Sequence, residues 1–494
     1  MRSFYQLMKL GVLTPRSLFF LWRAKRMYGN NLCFLLKFAA DYYANKIAVT
    51  NGIEKISFKD FYEMVLHLSF TINKKINTQK DTTAILVCNN TINDILVLYA
   101  IQNLGIKLIL VNHKLHSNDI NKIISKQTLK YFLFTSDPIH LLIEGAINID
   151  QLMADTTTGD NEKLFSKDFA RLIFPTSGTT GDAKLIEKRS GEFYWIQSFT
   201  DLVERTSIHK RDSVYISIPV SHGFGYTALL FTMILGKKAL LPRELKQTDI
   251  ADLLLNEKAD LLVGVPTALY SIAEKLQGTN HHIKSIISGG SSMSEVIFKK
   301  LSNNLTKEIF SMYGSTEASV SFIADFNQLN ENIAALGKPL KGIQYRLETL
   351  PEGGRELLIQ SGLSNISTTD GWIYTGDIVE EDAYGNLSWR SRKDDVIIKG
   401  GVNIYPIEIE KELLKLDVVE DAFVTKQKDV IKGEVIIAFV KIKLLTTFDE
   451  SILKNELKQV LSGIKIPDKI YEIANFEYTN TGKKIKPGLT FLSY

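Results

Sequence analysis

The stretch that sets the fold class runs from Ala84 to Asn112, "AILVCNNTINDILVLYAIQNLGIKLILVN". Two short apolar runs, Ala84–Asn89 and Ile106–Asn112, flank a segment of helical length, Ile92–Asn103. Such runs, separated by a helical pattern, are typical of buried parallel strands joined by a crossover helix. The stretch therefore predicts a βαβ unit, the repeating element of a parallel α/β sheet.

The same alternation continues towards the C-terminus. Further strands are predicted at Tyr131–Ser136, Ser213–Pro219, Lys238–Leu241, Leu261–Val265 and Ile283–Ile287. After about residue 340 the sequence becomes rich in turns and short strands, and near Arg390 it changes to a compact α+β pattern. We expect an α/β protein in two parts: a large multilayer domain over 1–390, with βαβ subdomains and a β-rich subdomain, and a small α+β domain over 391–494.

The composition excludes several classes of protein. The 494 residues are 45% hydrophobic and 23% charged, as in ordinary globular proteins. A net charge of +4 gives no reason to expect nucleic acid. Two cysteines, Cys33 and Cys88, provide no disulfide framework or metal-ligand spacing, which favours a reducing cytoplasm.

The N-terminal extension, residues 1–40, is basic and apolar. It contains seven cations and no acidic residue among many Leu and Phe residues. Such a segment could rest on an anionic membrane surface through residues 1–30. Projection of Arg16–Tyr28 at helical spacing scatters the apolar residues around the axis, however, and this favours a helix packed on the main domain. Both interpretations stay open.

One loop has the composition of a phosphate cradle. "FPTSGTTGDAK", Phe174 to Lys184, combines glycines, small hydroxyl residues and one lysine. Glycine and small hydroxyl residues leave backbone N–H groups open, and a series of such groups binds phosphate. An ordinary surface loop is the alternative. The candidate phosphate-binding residues are Thr176, Ser177, Gly178, Thr179, Thr180, Gly181 and Lys184.

Four further polar segments follow predicted strands or turns, where α/β folds place ligands. "SMYGSTEAS" puts Thr316 beside Glu317, a pair of oxygen ligands that suits Mg²⁺. Asp377 closes "GWIYTGD", where a carboxylate could hold a ribose diol or close an Asx-turn. "SRKDDVIIKGGVNIYPIEIE" contains a Gly-Gly turn, and "TNTGKKIKP" presents lysines on a polar loop. Each segment alone is typical of a surface loop.

In this order and spacing, the five motifs resemble the AMP-forming adenylating enzymes. This family includes acyl-CoA synthetases, adenylation domains of peptide synthetases and firefly-type luciferases, and this chain is closest in character to fatty-acid–CoA ligases. The resemblance extends from about residue 50 to the end of the chain. It implies ATP, Mg²⁺ and coenzyme A as cofactors, or a carrier-protein phosphopantetheine in place of CoA.

The resemblance also implies roles for residues. The loop 177–184 would grip the ATP β- and γ-phosphates, Thr316 would contact the α-phosphate, and Glu317 would bind the metal. The adenine site would comprise Gly289, Gly290, Ser291, Tyr313 and Gly314. Asp377 and Arg392 would hold the ribose.

The remaining implied roles belong to the second half of the reaction and to motion. Asp394 falls at the family's hinge, near 392–394, about which the small domain swings. Gly400 and Gly401 fall at the pantetheine tunnel. Lys483 matches the lysine that reaches the acid and the α-phosphate, and Lys484 leaves that assignment ambiguous by one position.

The acid is indicated by "PVSHGFGYTALLFTMILG", Pro219–Gly236. No acidic residue lies between Ile216 and Gly236, so a substrate ammonium has no counter-ion there and an unsubstituted acyl chain is favoured. "SHGFG" resembles acyl-CoA ligases, in which the histidine, here His222, lies beside the carboxylate; a packed loop histidine is the alternative. The candidate pocket residues are Phe224, Tyr226, Leu229, Leu230 and Phe231.

We therefore predict an ATP-dependent, AMP-forming ligase that joins a medium- or long-chain fatty acid to CoA. Transfer to the phosphopantetheine thiol of an acyl carrier protein is one alternative. A catalytically weak regulator that binds nucleotide or acyl groups is another.

Overall fold

The computed structural model describes residues 2–77, 82–126, 130–155, 164–176, 184–188, 195–241, 249–315, 317–351, 353–361, 370–429, 433–477 and 484–487. The chain forms two compact units. The first unit comprises Met1–Asn327, Pro339–Ile343 and Ser361–Gly371, and the second comprises Gln328–Lys338, Gln344–Gln360 and Trp372–Tyr494.

The helices have the following bounds: α1 Arg2–Lys9, α2 Pro15–Tyr28, α3 Cys33–Tyr42, α4 Phe58–Ile76, α5 Ile92–Asn103, α6 Ser117–Ser125, α7 Ile149–Ala154, α8 Trp195–Thr206, α9 Gly223–Ile234, α10 Asp249–Asn256, α11 Pro266–Lys275, α12 Glu295–Asn304, α13 Phe326–Glu331, α14 Pro406–Leu413 and α15 Glu450–Val460.

The strands have the following bounds: β1 Ile47–Thr50, β2 Lys55–Ser57, β3 Thr83–Cys88, β4 Lys107–Asn112, β5 Tyr131–Thr135, β6 Ala146–Asn148, β7 Leu172–Thr176, β8 Lys184–Lys188, β9 Ser213–Ile216, β10 Lys238–Leu240, β11 Leu261–Gly264, β12 Ser285–Gly289, β13 Ile309–Ser315, β14 Ser319–Ala324, β15 Ala335–Pro339, β16 Ile343–Thr349, β17 Arg355–Ser361, β18 Ile373–Glu381, β19 Leu387–Arg392, β20 Ile397–Lys399, β21 Val402–Ile404, β22 Val419–Asp429, β23 Gly433–Ile442 and β24 Lys469–Glu472.

The first unit contains the predicted parallel sheets. One sheet has the order β6-β5-β3-β4-β7-β8, and all its neighbours are parallel except the β7–β8 pair. The second follows the path β14-β13-β12-β11-β9-β10-β1-β2, with antiparallel pairs only at β13–β14 and β1–β2. The opening stretch forms the predicted βαβ unit, since β3 and β4 pair in parallel across α5.

The crossover helix α5 shows why this sequence folds into layers. Its residues Ile95 to Ile101 are all buried, so an apolar helix without a polar face is stable here. Thr91 and Asp94 form a capping box at its N-terminus, which satisfies backbone N–H groups that would otherwise be buried without partners. The predicted α/β fold class is confirmed.

The second unit contains two sheets. One follows the order β16-β17-β18-β19-β15, and the other the order β21-β20-β23-β22 with β24 parallel to β23. The helices α14 and α15 contribute to the core of the latter through buried leucines and isoleucines. Compactness thus groups β15–β19 with the C-terminal strands. The predicted boundary at residue 391 separates the large domain from a small domain that is expected to move, and it stays a prediction.

The N-terminal extension is helical and packs on the first unit. In α2, Ala24 and Tyr28 are fully buried, and the Tyr28 hydroxyl hydrogen-bonds that of Tyr62 at 2.8 Å. Among the described residues, no helix is long and apolar enough to cross a bilayer. Cys33 and Cys88 are both buried and unpaired with each other.

Candidate functional site

The predicted phosphate loop begins and ends on paired strands. Thr176 ends β7, Lys184 begins β8, and the two residues pair across the antiparallel ladder. The two ends of the loop are therefore adjacent at one edge of the sheet. The predicted residues Ser177, Gly178, Thr179, Thr180 and Gly181 lie outside the described residues.

A glycine turn follows β12 at the carboxyl edge of the second sheet. Gly289 has no room for a side chain, because a Cβ there would lie 2.7 Å from Cε1 of Phe224 and 3.2 Å from the carbonyl oxygen of Met312. Gly290 has φ +87°, which glycine adopts without strain. The hydroxyl of Ser291 is buried, and no described residue offers it a hydrogen-bond partner. An unpartnered buried hydroxyl beside a side-chain-free backbone suits a flat polar ligand such as a nucleobase.

Replacement of Gly289 by alanine adds one methyl group and tests the close packing around this glycine. We expect Gly289→Ala to cost about 1–3 kcal/mol through overpacking against Phe224 and to raise the KM for ATP. Gly223→Ala is the matched control, because a Cβ at Gly223 meets nothing within 4 Å. The checks are the thermal unfolding midpoint and the KM for ATP; equal midpoints and equal KM values for both variants would contradict the expectation.

The β13–β14 hairpin places two predicted residues at the same edge, since β12 and β13 are parallel neighbours. The Tyr313 ring lies edge-on to Phe322, with centroids 6.0 Å apart. A Cβ on Gly314 would lie 2.1 Å from the carbonyl oxygen of Ser319, where the ladder register shifts, so only glycine permits this close turn. Glu317 lies in that turn and Thr316 lies outside the described residues.

Glu317 fits the predicted metal role as a single ligand. Among the described residues, no group of three or more His, Cys, Asp and Glu side chains could hold a metal. Mg²⁺ does not need such a cage, because it commonly binds one or two carboxylates together with substrate phosphates. A lone carboxylate beside a predicted nucleotide site is therefore compatible with that ion.

His222 holds the start of α9. It is the N-cap residue, and its Nδ1 accepts a hydrogen bond from the N–H of Phe224 at 3.3 Å. In the neutral ring, the proton is then on Nε2. Asn90 braces the same loop, since it donates to the carbonyl oxygen of Ile218 at 3.0 Å and accepts from the N–H of Val220 at 2.8 Å.

An apolar pocket lies beneath α9. Its free volume is about 40 Å³, room for roughly three water molecules in the present conformation. The wall residues come from α9 and from the strands below it, and they include Phe224, Ala228, Phe231, Leu235, Val214, Leu261, Val263, Ile287, Met312 and Val320. Of the pocket residues predicted from the sequence, Phe224 and Phe231 line it. Tyr226 instead packs in the core, with its hydroxyl hydrogen-bonded to Gln102 at 2.8 Å.

Lys237 also lines this pocket, a contribution that the sequence did not suggest. Its side chain is 11% exposed, and burial lowers the pKa of its ammonium group. The amine lies 3.7 Å from a carboxylate oxygen of Asp212, whose side chain is 87% exposed. An ion pair to such an exposed carboxylate stabilises weakly, so the lysine can exchange this partner for another anion.

In the second unit, the two predicted ribose ligands lie opposite each other. Asp377 on β18 pairs with Arg392 on β19, and Nε of Arg392 lies 3.1 Å from Oδ1 of Asp377. Trp389 donates from Nε1 to the same oxygen at 2.9 Å. The buried carboxylate is thus held in one orientation before any ligand binds. Trp389 was missed because its role depends on the strand register.

The other predicted residues of the second unit lie at the surface. Asp394 lies in a 3₁₀ turn, Lys393–Asp395, and is exposed. Gly400 and Gly401, with φ +56° and +76°, form the two-residue turn of the β20–β21 hairpin. Two adjacent positive φ angles define a type I′ turn, which favours Gly-Gly. The turn is exposed and Gly401 has open space around its Cα.

The half-buried Lys484 makes its contacts within this unit. Its amine lies 2.5 Å from Asp421 and 2.7 Å from the carbonyl oxygen of Ala422, and it stands over the Phe476 ring. Burial raises the pKa of neighbouring Glu410 to about 7, and the Lys484 charge opposes that rise. Lys483 lies outside the described residues.

These features define a class of protein: a two-unit α/β protein in which three predicted ligand residues of the first unit, Thr176, Gly289 and Gly314, lie at or next to the carboxyl ends of β7, β12 and β13. The family model described as "AMP-binding enzyme" matches residues 36–357, and that described as "AMP-binding enzyme C-terminal domain" matches residues 408–483. The first match covers more than half of the chain. The chain belongs to the AMP-binding enzyme family, as the sequence motifs indicated.

Similar proteins include 2-succinylbenzoate–CoA ligases. That of Listeria innocua is 26% identical over 443 residues, which cover 86% of this chain and 92% of that protein. An acyl-CoA ligase of Penicillium expansum is 28% identical over 360 residues, 63% of this chain and 72% of that protein. Among solved structures, o-succinylbenzoate CoA synthetase of Bacillus subtilis with its acyl-adenylate intermediate has a TM-score of 0.78 at 22% identity, covering 91% of this chain and 96% of that one.

Proposed function

We propose that this chain is an AMP-forming acid–CoA ligase that activates an aromatic acid with a second carboxylate, of the 2-succinylbenzoate type. The observation that carries the proposal is the lining of the pocket beneath α9, which combines apolar side chains such as Phe224, beside Gly289, with the cation of Lys237. Membership of the AMP-binding family and the names of the relatives agree with it.

The first half-reaction forms the acyl-adenylate. A carboxylate oxygen of the acid attacks the α-phosphorus of ATP, and pyrophosphate leaves. Two anions must approach each other, so the site needs preorganised cations and donors. We assign these roles to Lys483 and to Nε2–H of His222, with Tyr313 against the base and Asp377 and Arg392 at the ribose. Mg²⁺, held through Glu317, would neutralise phosphate charge.

The second half-reaction transfers the acyl group. The CoA thiol attacks the acyl carbon, AMP leaves with one oxygen of the original carboxylate, and the thiol proton passes to solvent. We propose that Gly400 and Gly401 line the tunnel through which the pantetheine arm of CoA passes. This exposed turn has no side chain that would narrow such a tunnel. Asp394 is proposed as the hinge residue, in a short exposed turn that can absorb a dihedral change.

The names of similar proteins favour an aromatic acid over a fatty acid as the substrate. The sequence favoured a medium or long acyl chain because the α9 segment has no acidic residue. Several relatives of this chain are instead named 2-succinylbenzoate–CoA ligases. An apolar wall serves an aromatic ring equally well. A second carboxylate needs a counter-ion, and Lys237 is the one cation among the described lining residues.

A substrate panel tests the proposal. Purified protein is incubated with ATP, Mg²⁺ and CoA and with 2-succinylbenzoate, benzoate, octanoate, palmitate or an amino acid. We expect 2-succinylbenzoyl-CoA and AMP to dominate. Lys237→Met should lower kcat/KM for 2-succinylbenzoate by about tenfold or more, because the second carboxylate would lose its ion pair in a largely water-free pocket. The kcat/KM for benzoate, which has no second carboxylate, should be nearly unchanged.

Other outcomes have defined meanings. A preference for octanoate or palmitate would contradict the proposed acid and leave the reaction class intact. Acyl-adenylate without acyl-CoA would identify a carrier-protein thiol as the acceptor. The absence of product from every acid would favour the alternative that this chain is a catalytically weak regulator that binds nucleotide or acyl groups.

A further inference from the structure

The exposed side chains of the two N-terminal helices are mainly aromatic, apolar and basic. On α1, Tyr5 is 71% exposed and Met8 is 41% exposed; on α2, Phe19 is 56% and Trp22 is 57% exposed. Large apolar side chains with this exposure are rarely clustered on a soluble surface unless they contact something. The exposed cations of this face, which we call the N-terminal face, are Lys9, Arg16, Arg23 and Arg26.

The structure explains why the helical projection looked poor. One side of α2, with Ser17, Ala24 and Tyr28, faces the core. Phe19, Trp22 and the neighbouring arginines follow the opposite side at spacings of three and four residues. The helix α2 therefore has one side that packs on the core and one exposed side, and both carry apolar residues. For this reason the apolar residues are scattered around the helix axis.

The charge of this face has one sign. Residues 2–40 contain no acidic side chain. Glu204, which accepts a hydrogen bond from Gln6 of α1, is itself paired with Lys341 at 3.2 Å. The guanidinium of Arg26 stands 5.6 Å from the Trp22 ring, and the Phe19 and Trp22 rings are 6.4 Å apart. Among the residues that the structure describes, this aromatic cluster bordered by arginines has no ion-pair partner of opposite charge.

We propose that the N-terminal face docks this enzyme on an anionic membrane surface. Tryptophan and tyrosine prefer the headgroup level of a bilayer, and arginines beside them bind anionic lipids. The charge complementarity selects an anionic surface over a neutral one. The contact is peripheral, with the face lying along the lipid headgroups, and it is independent of the proposed ligase chemistry.

Vesicle flotation of the full-length chain tests this proposal. We expect binding to vesicles of phosphatidylcholine with a quarter phosphatidylglycerol, weak binding to pure phosphatidylcholine, and release by 1 M salt. The triple variant R16E/R23E/R26E should bind at least about a hundredfold more weakly, since each cation near such a surface contributes roughly fivefold. Trp22→Ala should weaken binding at unchanged charge.

The matched control carries the same change of charge elsewhere. K284E/K307E/K458E replaces three exposed lysines far from the N-terminal helices in sequence, and it should bind like the wild type. Equal loss in both triple variants, or no vesicle binding by the wild type, would overturn the proposal. A concentration-dependent dimer abolished by Trp22→Ala, without vesicle binding, would assign the face to a second copy and also overturn it. Ligase activity without vesicles reports that each variant is folded.

Discussion

Replacement of Lys483 by alanine is expected to reduce acyl-adenylate formation by about 10²–10³-fold, the usual loss when one preorganised charged donor is removed. Thioester formation from supplied acyl-adenylate and CoA should be nearly unchanged, because the phosphorus chemistry is already complete. The measurement is the rate of each half-reaction in single turnover, followed by mass spectrometry of acyl-adenylate, acyl-CoA and AMP.

The neighbouring lysine provides the matched control. Lys484 is bound to Asp421 and Ala422 within the second unit, so it is proposed to anchor the loop and not to reach the substrate. Lys484→Met keeps a side chain of similar length and removes the ammonium group, including its contact over the Phe476 ring. We expect it to lower thermal stability with little effect on the adenylation rate per folded molecule. A greater adenylation loss in Lys484→Met than in Lys483→Ala would reverse the assignment.

The second large effect is expected at Glu317. Glu317→Gln keeps the shape of the side chain but removes the charge that the proposed Mg²⁺ ligand needs. We expect adenylation to fall by about 10²-fold and the Mg²⁺ concentration for half-maximal rate to rise. The measurement is a Mg²⁺ titration of the adenylation rate at fixed ATP.

Glu295→Gln is the control for this change, since Glu295 is an exposed carboxylate in the first turn of α12 in the same unit. Its Mg²⁺ dependence should match that of the wild type. If Glu317→Gln lowered the rate without altering the Mg²⁺ dependence, the residue would act through the hairpin and not through the metal.

The periodicity of apolar residues predicted the strands and helices that are buried along their whole length. The β3–α5–β4 unit followed from two apolar runs and a helical segment, because buried parallel strands and their crossover helix need continuous apolar sequence. Strand β22, by contrast, extends over Val419–Asp429 and includes charged residues near both of its ends. Its charged ends are paired with β23, a long-range contact that no local pattern reports.

Motifs named the candidate site residues, but the contacts between them depend on strand register. Asp377 and Arg392 were both named from the sequence, but their pairing and the hydrogen bond from Trp389 require the antiparallel alignment of β18 and β19. Lys237 follows the apolar segment directly, yet only the packing of α9 on the sheet brings it to the pocket. The ion pair of Lys484 with Asp421 is likewise a long-range contact that the sequence does not report.

The most direct test of the ligase mechanism follows a single oxygen atom. The acid is labelled with ¹⁸O in its reacting carboxylate and incubated with the enzyme, ATP, Mg²⁺ and CoA, and the released nucleotide is analysed by mass spectrometry. An acyl-adenylate requires one ¹⁸O in AMP, because the carboxylate oxygen that attacks the α-phosphorus stays on it when the thiol displaces AMP. Label in inorganic phosphate with ADP as the nucleotide product, or unlabelled AMP, would contradict the mechanism.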